Sequence, residues 1–278
     1  MIKLEAATLT DPGCEREMNE DSAWAQVYST SDGEAIGLFI VCDGMGGHMG
    51  GEVASHWAVE TIKQEMSSLF SLKDPRATVR LSEAELAAAV EGGEVTRASV
   101  VSKIELQIRQ AIQKANGVVY KYAQEKPQKA AEAGTTVTMA VVVGHRVIVA
   151  NVGDSRTYLL RDHKLQQVSQ DHSLVASLVA SGQIKPEEVF THPQRNMIFR
   201  CLGQKRQVQV DTFLEVLQPG DFLLLCSDGL WEMVQDEEVI ARLVEAASTP
   251  QKACQILIDA ANTAGGEDNI GVVVVKVS

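Results

Sequence analysis

The chain has 278 residues, 45% of them hydrophobic, and carries 25 basic against 37 acidic side chains for a net charge of −12. That is enough apolar material for one large domain or two small ones, and the negative balance argues against nucleic acid or an anionic membrane as the main partner. Five scattered cysteines without a CxxC pair indicate neither a zinc ribbon nor a disulfide framework; with no apolar run of about 18 residues and no signal-peptide pattern at the start, the expected location is the cytoplasm.

Residues 4–28 mix short apolar stretches with REMNED, Arg16 to Asp21, four charges in six residues. Such a run usually lies in a solvated loop or strand end. Asp32-Gly33 predicts a hairpin turn between two strands. Residues 36–42 have the length and the β-branched and aromatic content of a buried strand. The strand stops at Asp43, and five glycines follow within eight residues (Gly44, Gly46, Gly47, Gly50 and Gly51). A helix is predicted from there to about residue 70, with Val53, Trp57 and Ile62 toward one side. The segment 73–98 changes character, with a Ser82–Glu85 capping box, an alanine-rich run and Gly92-Gly93, and reads as a surface insertion. An amphipathic helix is predicted over 99–125, with Ile104, Ile108, Ile112 and Val119 near one face.

The period then switches. Residues 135–144 and 146–161 read as paired antiparallel strands separated by Gly144-His145, and 164–169 adds a third. Residues 171–200 are helical and loop-like, interrupted by Gly182, Pro186 and Pro193. Residues 211–230 predict a hairpin on Pro219-Gly220, whose second strand ends on Asp228-Gly229. A helix near 236–247 is followed by another with Thr249 as N-cap and Pro250 at its first position, and a last strand occupies 269–277. Hairpins with helices segregated between them predict an α+β fold of sheet packed on sheet in a single domain over 1–278.

The stretch 36–51 has the strand, glycine loop and helix of a dinucleotide site, but Met49 stands where the third glycine belongs and Asp43 would face a pyrophosphate. A divalent cation bound by carboxylate and carbonyl oxygens fits better. A plain turn, its aspartate favoured by the following helix dipole, also fits. Acidic residues recur at strand ends, in Asp43-Gly44, Gly153-Asp154, Asp228-Gly229 and Asp268-Asn269. Each alone is an ordinary turn residue. Ionised groups at the ends of buried strands are costly unless paired or bound to metal, and few basic residues flank them, although Arg156 follows Asp154. Together with Glu20 and Asp21 they point to a shared cation site.

REMNED at 16–21, VCDGMGGHMGG at 41–51, GTTVT at 134–138, NVGDSR at 151–156, QDHS at 170–173, CSDGLW at 226–231 and EDNIGVVVV at 267–275 resemble, in order and nearly end to end, the PP2C (PPM) family of metal-dependent protein phosphatases in its bacterial form. The segment 73–98 has no counterpart. The resemblance implies a four-layer αββα sandwich of two antiparallel sheets flanked by helices. It implies hydrolysis of phosphoserine and phosphothreonine by a hydroxide bridging two Mn²⁺ or Mg²⁺ ions, without a phosphoenzyme. Asp43 would bridge the ions, the Gly44 carbonyl would bind one, and Asp228 and Asp268 would complete the other's ligands. Glu20 and Asp21 would hold metal-bound waters or contribute directly, and Asp154 with Asp228 would form a weaker third site. Arg16 would grip the substrate phosphate, and 172–200 would be a mobile flap.

Animal relatives carry a histidine two residues after the bridging aspartate. Met45 stands there in this chain, which makes His48 the candidate proton donor, against a structural role in the glycine loop. A cysteine-phosphatase signature fails, because Cys201 and Arg206 have four residues between them rather than five. The resemblance further implies phosphorylated proteins as partners, including a Ser/Thr kinase that the chain opposes, and a monomer. The alternatives are an inactive phosphoprotein-binding scaffold and a phosphatase acting on an anti-sigma-factor antagonist.

Overall fold

A computed structural model describes residues 2–29, 35–46, 50–70, 94–125 and 133–278. The first sheet runs β1 (Leu4–Asp11), β11 (Ile270–Val277), β10 (Phe222–Cys226), β7 (Arg156–Arg161) and β8 (Lys164–Gln167). The second runs β2 (Asp21–Ser29), β3 (Ala35–Met45), β5 (Val137–Val143), β6 (Arg146–Val152) and β9 (Asp211–Val216), with β4 (Gly134–Thr135) paired to the end of β3. Every pairing is antiparallel. Helices α1 (Gly50–Met66) and α2 (Glu94–Glu125) cover the second sheet, and α5 (Glu237–Ala246) and α6 (Pro250–Thr263) cover the first. Two short helices, α3 (Leu174–Ala180) and α4 (Asp228–Trp231), lie in the connections.

Side chains alternate along each strand, and in the central strands both faces are buried. Leu38, Ile40, Met139 and Val141 pack under α1 and α2. Their neighbours Phe39, Val41, Ala140 and Val142 pack between the sheets against Leu159, Leu223, Leu225, Val273 and Val275. Tyr158, Leu160, Leu224, Val272 and Val274 meet α5 and α6 on the far side. This is the αββα sandwich. It explains why β3, β10 and β11 read as continuous apolar runs rather than as alternating ones.

Several expectations hold. β2 and β3 pair from Asp21↔Asp43 to Ser29↔Ala35, and Thr249 caps α6 by accepting from the Lys252 N–H. The Ile104, Ile108, Ile112 and Val119 side chains are buried under α2. Others are corrected. α2 begins at Glu94, so the end of the expected insertion is helix; the Asp32-Gly33 turn and the Ser82–Glu85 box lie outside the described residues. The buried face of α1 is Ala54, Ala58, Ile62 and Met66, while Trp57 is 48% exposed; alanines let the helix approach β3 closely, and the indole is left at the rim.

The run 146–161 is two strands in different sheets. Gly153, at φ +112°, turns the chain out of β6 and across to β7. Likewise β9 and β10 form no hairpin: β9 pairs with β6, and β10 with β7 and β11. The Pro219-Gly220 turn is a corner between sheets. The buried Asp221 holds it by accepting from the Gln218 N–H at 2.7 Å and from Arg161 at 2.6 Å.

Between the sheets, the Thr138 hydroxyl on β5 and the Thr157 hydroxyl on β7 share a fully buried hydrogen bond of 2.7 Å. Removing one partner strands the other, whereas replacing both with isosteric apolar groups does not. Thr138→Val or Thr157→Val alone should cost about 1–3 kcal/mol in chemical denaturation, and the double variant less than either single one. Additive losses would show that the pair carries no coupling.

Candidate active site

The strand ends predicted to carry acid lie together at one edge of the sandwich. Asp43 near the end of β3 stands directly opposite Asp21 at the start of β2. Asp228 opens α4 two residues after β10, Asp268 precedes β11, and Asp154 follows β6. The antiparallel pairing of alternate strands brings residues distant in sequence to this edge.

The backbone of Asp43 is held from both sides. Its N–H donates to the Thr136 hydroxyl at 3.0 Å, and its carbonyl accepts from the Thr136 N–H at 2.9 Å and the Thr135 hydroxyl at 2.8 Å. Gly44 then passes the start of α1 so closely that a Cβ there would lie 2.2 Å from the Gly51 carbonyl oxygen and 2.5 Å from that of Glu20. Only glycine fits. Gly229 makes the same kind of approach to the Asn269 carbonyl, at 2.1 Å.

The electrostatics are those of crowded anions. Burial first, then the charges of Asp228, Asp21, Asp154 and Asp268, raise Asp43 well above the ordinary carboxylate range. Burial, then Asp154, Asp268, Glu232 and Asp21, do the same to Asp228. Burial pushes Asp21 up to about 7 against a hydrogen bond from Ser227, and burial followed by Asp171 pushes Asp154 to about 7. Two nearby cations, Arg156 and Arg195, are paired with acids outside this set. Arg156 pairs with Asp171 at 2.7 Å and stacks on Trp231, and Arg195 reaches Glu232 and Glu267 at 3.5 and 3.8 Å.

Each expected site residue has a definite place. Arg16 donates to the Asp268 carboxylate at 2.7 Å and to the Glu267 carbonyl at 3.4 Å, with its side chain 54% exposed. The Glu20 carboxylate accepts from the Gly51 and Glu52 N–H groups at the start of α1, so it caps that helix at the edge of the cluster. One Asp21 oxygen accepts from the Ser227 hydroxyl at 2.6 Å; the other is buried with no partner among the described residues. His48 lies outside the described residues. With Glu267 and Glu232, Arg16, Arg195, Asp228 and Asp268 line a cleft of about 360 Å³. A larger cavity, about 620 Å³, lies between α3 and α5 and is lined by none of the expected site residues.

Sequence reasoning assigned no role to Asn269, Ser227, Thr135 or Thr136. Asn269 accepts from the Glu20 N–H at 2.7 Å and donates to the Pro12 and Met18 carbonyls at 2.9 Å each, which staples the REMNED segment to the site. Its position directly after Asp268 was the only signal. Ser227 passes a hydrogen bond from the Gly271 N–H on to Asp21.

Among the described residues no three His, Cys, Asp or Glu side chains close into a cluster able to grip a metal. The donor set nevertheless fits a hard divalent cation: the donors are oxygens only, a buried carboxylate oxygen without a partner among the described residues sits among them, and burial with neighbouring acids raises the pKa of four aspartates. The Cys201 thiol of the failed cysteine-phosphatase signature does not compete: burial pushes it up to about 11, so it is not a thiolate near neutral pH.

A family profile described as Protein phosphatase 2C matches residues 15–260. The serine/threonine phosphatase Stp of Listeria monocytogenes is 36% identical over 273 residues, covering 98% of this chain and 96% of that protein. The serine/threonine phosphatase of S. agalactiae superposes with a TM-score of 0.79 at 32% identity, over 99% of both chains. The catalytic domain of the serine/threonine protein phosphatase PstP, solved in complex with two manganese ions, superposes with a TM-score of 0.75 at 30% identity, over 100% of this chain and 99% of that one.

The raised pKa values make the cation-free chain sensitive to pH. An unfolded aspartate titrates near its ordinary value, while folded Asp21 titrates near 7. Below both values the folded and unfolded states are equally protonated and there is no penalty. As pH rises between them the unfolded chain releases a proton that the folded chain keeps, so stability falls, and the full cost is present above about 7. In chelator, melting should therefore occur at higher temperature at pH 5.5 than at pH 8. Asp228→Asn should raise the chelated melting temperature at pH 8 by a few degrees, about 2–4 °C per kcal/mol for a chain of this size, and flatten the pH dependence. A lower melting temperature for the variant in chelator would contradict repulsion as the dominant force.

Proposed function

The chain belongs to the protein phosphatase 2C family and is a serine/threonine phosphatase, and we propose that it works through at least two divalent cations, Mn²⁺ or Mg²⁺, held at the carboxylate edge of the sandwich. The observation that carries this reading is the set of buried aspartates, with Asp43 and Asp228 raised by their acidic neighbours, whose one ion pair among the described residues is that of Arg16 with Asp268. Asp43 would be shared between the ions, with the Gly44 carbonyl, Asp228 and Asp268 completing the ligands; Asp21 and Asp154 would hold outer or weaker positions. When bound, the ions supply Lewis acidity, activating water for direct attack on phosphorus and neutralising phosphate oxygens without a phosphoenzyme.

The chain's own residues do the rest. Thr135 and Thr136 fix the main chain of Asp43, Ser227 orients Asp21, and Asn269 holds Glu20 and the REMNED segment in place. Arg16 stands at the mouth of the cleft. Its guanidinium, paired with Asp268 in this structure, would grip the substrate phosphate, its planar fork matching two phosphate oxygens, while Asp268 would serve to hold a cation. Glu20 would act mainly through its cap on α1. His48 is the candidate proton donor to the departing serine or threonine oxygen. Residues 172–200 would form the flap beside the site, and 1–278 would act as one domain. Substrates would be phosphorylated proteins, including a Ser/Thr kinase, met by a monomer in the cytoplasm; no helix among the described residues is long and apolar enough to cross a membrane.

The test is hydrolysis of para-nitrophenyl phosphate and of a phosphothreonine peptide, with Mn²⁺ and with chelator. Turnover should require the cation and be lost in Asp228→Asn. A folded chain that binds Mn²⁺ but turns over neither substrate would make it an inactive phosphoprotein-binding scaffold instead. Arg16→Ala should raise KM about tenfold or more, the loss expected for a charge-assisted hydrogen bond, in steady-state kinetics on both substrates. An unchanged KM would remove Arg16 from phosphate binding.

A further inference from the structure

We propose that His172 is a positioning residue that couples the base of the 174–197 segment to the Gly153-Asp154 turn, with Asp211 holding its imidazole in the working tautomer. The proposal rests on the reading of Asp154 as a cation ligand.

His172 is 3% exposed and clamps Gly153 from both sides. Its ring Nδ1 accepts from the Gly153 N–H at 3.0 Å, and its own N–H donates to the Gly153 carbonyl at 2.9 Å. Gly153 has φ +112°, and a Cβ there would lie 2.6 Å from the Thr136 side chain, so this turn has one shape. The next residue is Asp154, whose carbonyl accepts from Trp231 Nε1 at 3.2 Å. The chain leading into that carboxylate is therefore set by His172 on one side and by Trp231 on the other.

The tautomer follows from the partners. A backbone N–H is always a donor, so the Nδ1 that receives it carries no proton, and the ring proton sits on Nε2. Nε2 lies 3.0 Å from Asp211 Oδ2 and donates to it. Arg200 Nη1 lies 2.9 Å from the same nitrogen and 2.8 Å from Asp211 Oδ1. With the ring proton already on Nε2, the guanidinium's partner is Asp211. Burial, aided by the Arg200 charge, lowers the His172 pKa against the pull of Asp211, which keeps the imidazole neutral and Nδ1 free to accept.

The same residue closes the neighbouring segment. The Phe199 N–H donates to the His172 carbonyl at 2.9 Å, the Leu174 N–H to the Met197 carbonyl at 2.8 Å, and Ser173 bridges Ile198. Residues 174–197 thus leave and rejoin the sandwich through a bridge that begins at His172. Arg200 follows two residues after this bridge, and Asp211 opens β9 opposite Asn151 of β6. Asn151 also joins the two stretches, its amide donating to the Gly153 and Gln170 carbonyls at 3.1 Å each, but it holds the residues before His172; the imidazole is the link made by the residue on which the segment closes, as outer-sphere partners of metal ligands commonly act.

Two substitutions separate the two ends of the ring. Asparagine places a carbonyl oxygen near the position of Nδ1; glutamine reaches toward Nε2 and leaves the Gly153 N–H without its acceptor. In cation-free chain, His172→Gln should speed amide exchange at Gly153, Leu174 and Phe199 about fivefold, as for the loss of one hydrogen bond. In calorimetric Mn²⁺ titration it should weaken the weakest binding step about tenfold, while His172→Asn stays near wild type. Asp211→Ala, which keeps the imidazole but frees its tautomer, should move the same amides in the same direction. Faster exchange at Gly153 alone, with Leu174, Phe199 and Mn²⁺ binding unmoved, overturns the coupling. Equal damage from asparagine and glutamine overturns the role of Nδ1. Wild-type chain that binds no Mn²⁺ overturns the cation reading, and the exchange rates then still decide whether His172 joins the two segments.

Discussion

Mutual repulsion among buried carboxylates is the constraint on which the rest of this structure depends. Asp43, Asp228, Asp21 and Asp154 all have raised pKa values, each with burial as the first cause and neighbouring acids added to it. A fold that gathers such groups at one edge is working against its own stability unless cations are present. The charge-neutral ways out are not taken: the strong cation partners near the site, Arg156 and Arg195, are engaged with Asp171, Glu232 and Glu267. Among the described residues Arg16 makes the ion pair within the cluster, from the solvent side.

The sandwich supplies what the repulsion demands. Central strands buried on both faces form a stiff base, and their ends cannot drift apart without opening one of three apolar layers. Glycines at 44 and 229 let strand ends and helix starts approach to contact. Threonine, serine and asparagine side chains then take the backbone bonds that the regular ladder drops at its edge: Thr135 and Thr136 on Asp43, Ser227 on Asp21 and Gly271, and Asn269 on Pro12, Met18 and Glu20. Those neutral donors and acceptors orient the acids without neutralising them, and that leaves the acids' charge available to a cation.

The edge has two mechanical inputs besides the strands. Glu20 caps the start of α1, so the helix that covers the second sheet is tied to the segment bearing Arg16 and Asp21. His172 ties the Asp154 turn to the base of the 174–197 segment. Both are local polar contacts to backbone, and both transmit position rather than charge.

Much of this was legible in the sequence. Strands 36–42, 222–226 and 270–277 announce themselves by apolar length, the Thr249 cap by residue type, and the acid cluster by aspartates recurring beside glycine or asparagine at strand ends. These are local signals, set by side-chain chemistry within a few residues. The tertiary structure alone decided which sheet each strand joins. A strand buried on both faces has no polar side to reveal its partner, so the breaks at Gly153 and at Pro219-Gly220 looked like continuations or hairpins. It also decided that Trp57 lies at the rim while Ala54 and Ala58 face β3, because the closeness of helix and sheet selects small residues. And it alone joined Asn269 to Glu20 and His172 to Gly153, contacts between segments whose meeting depends on how the whole chain packs and which nothing nearby in sequence encodes.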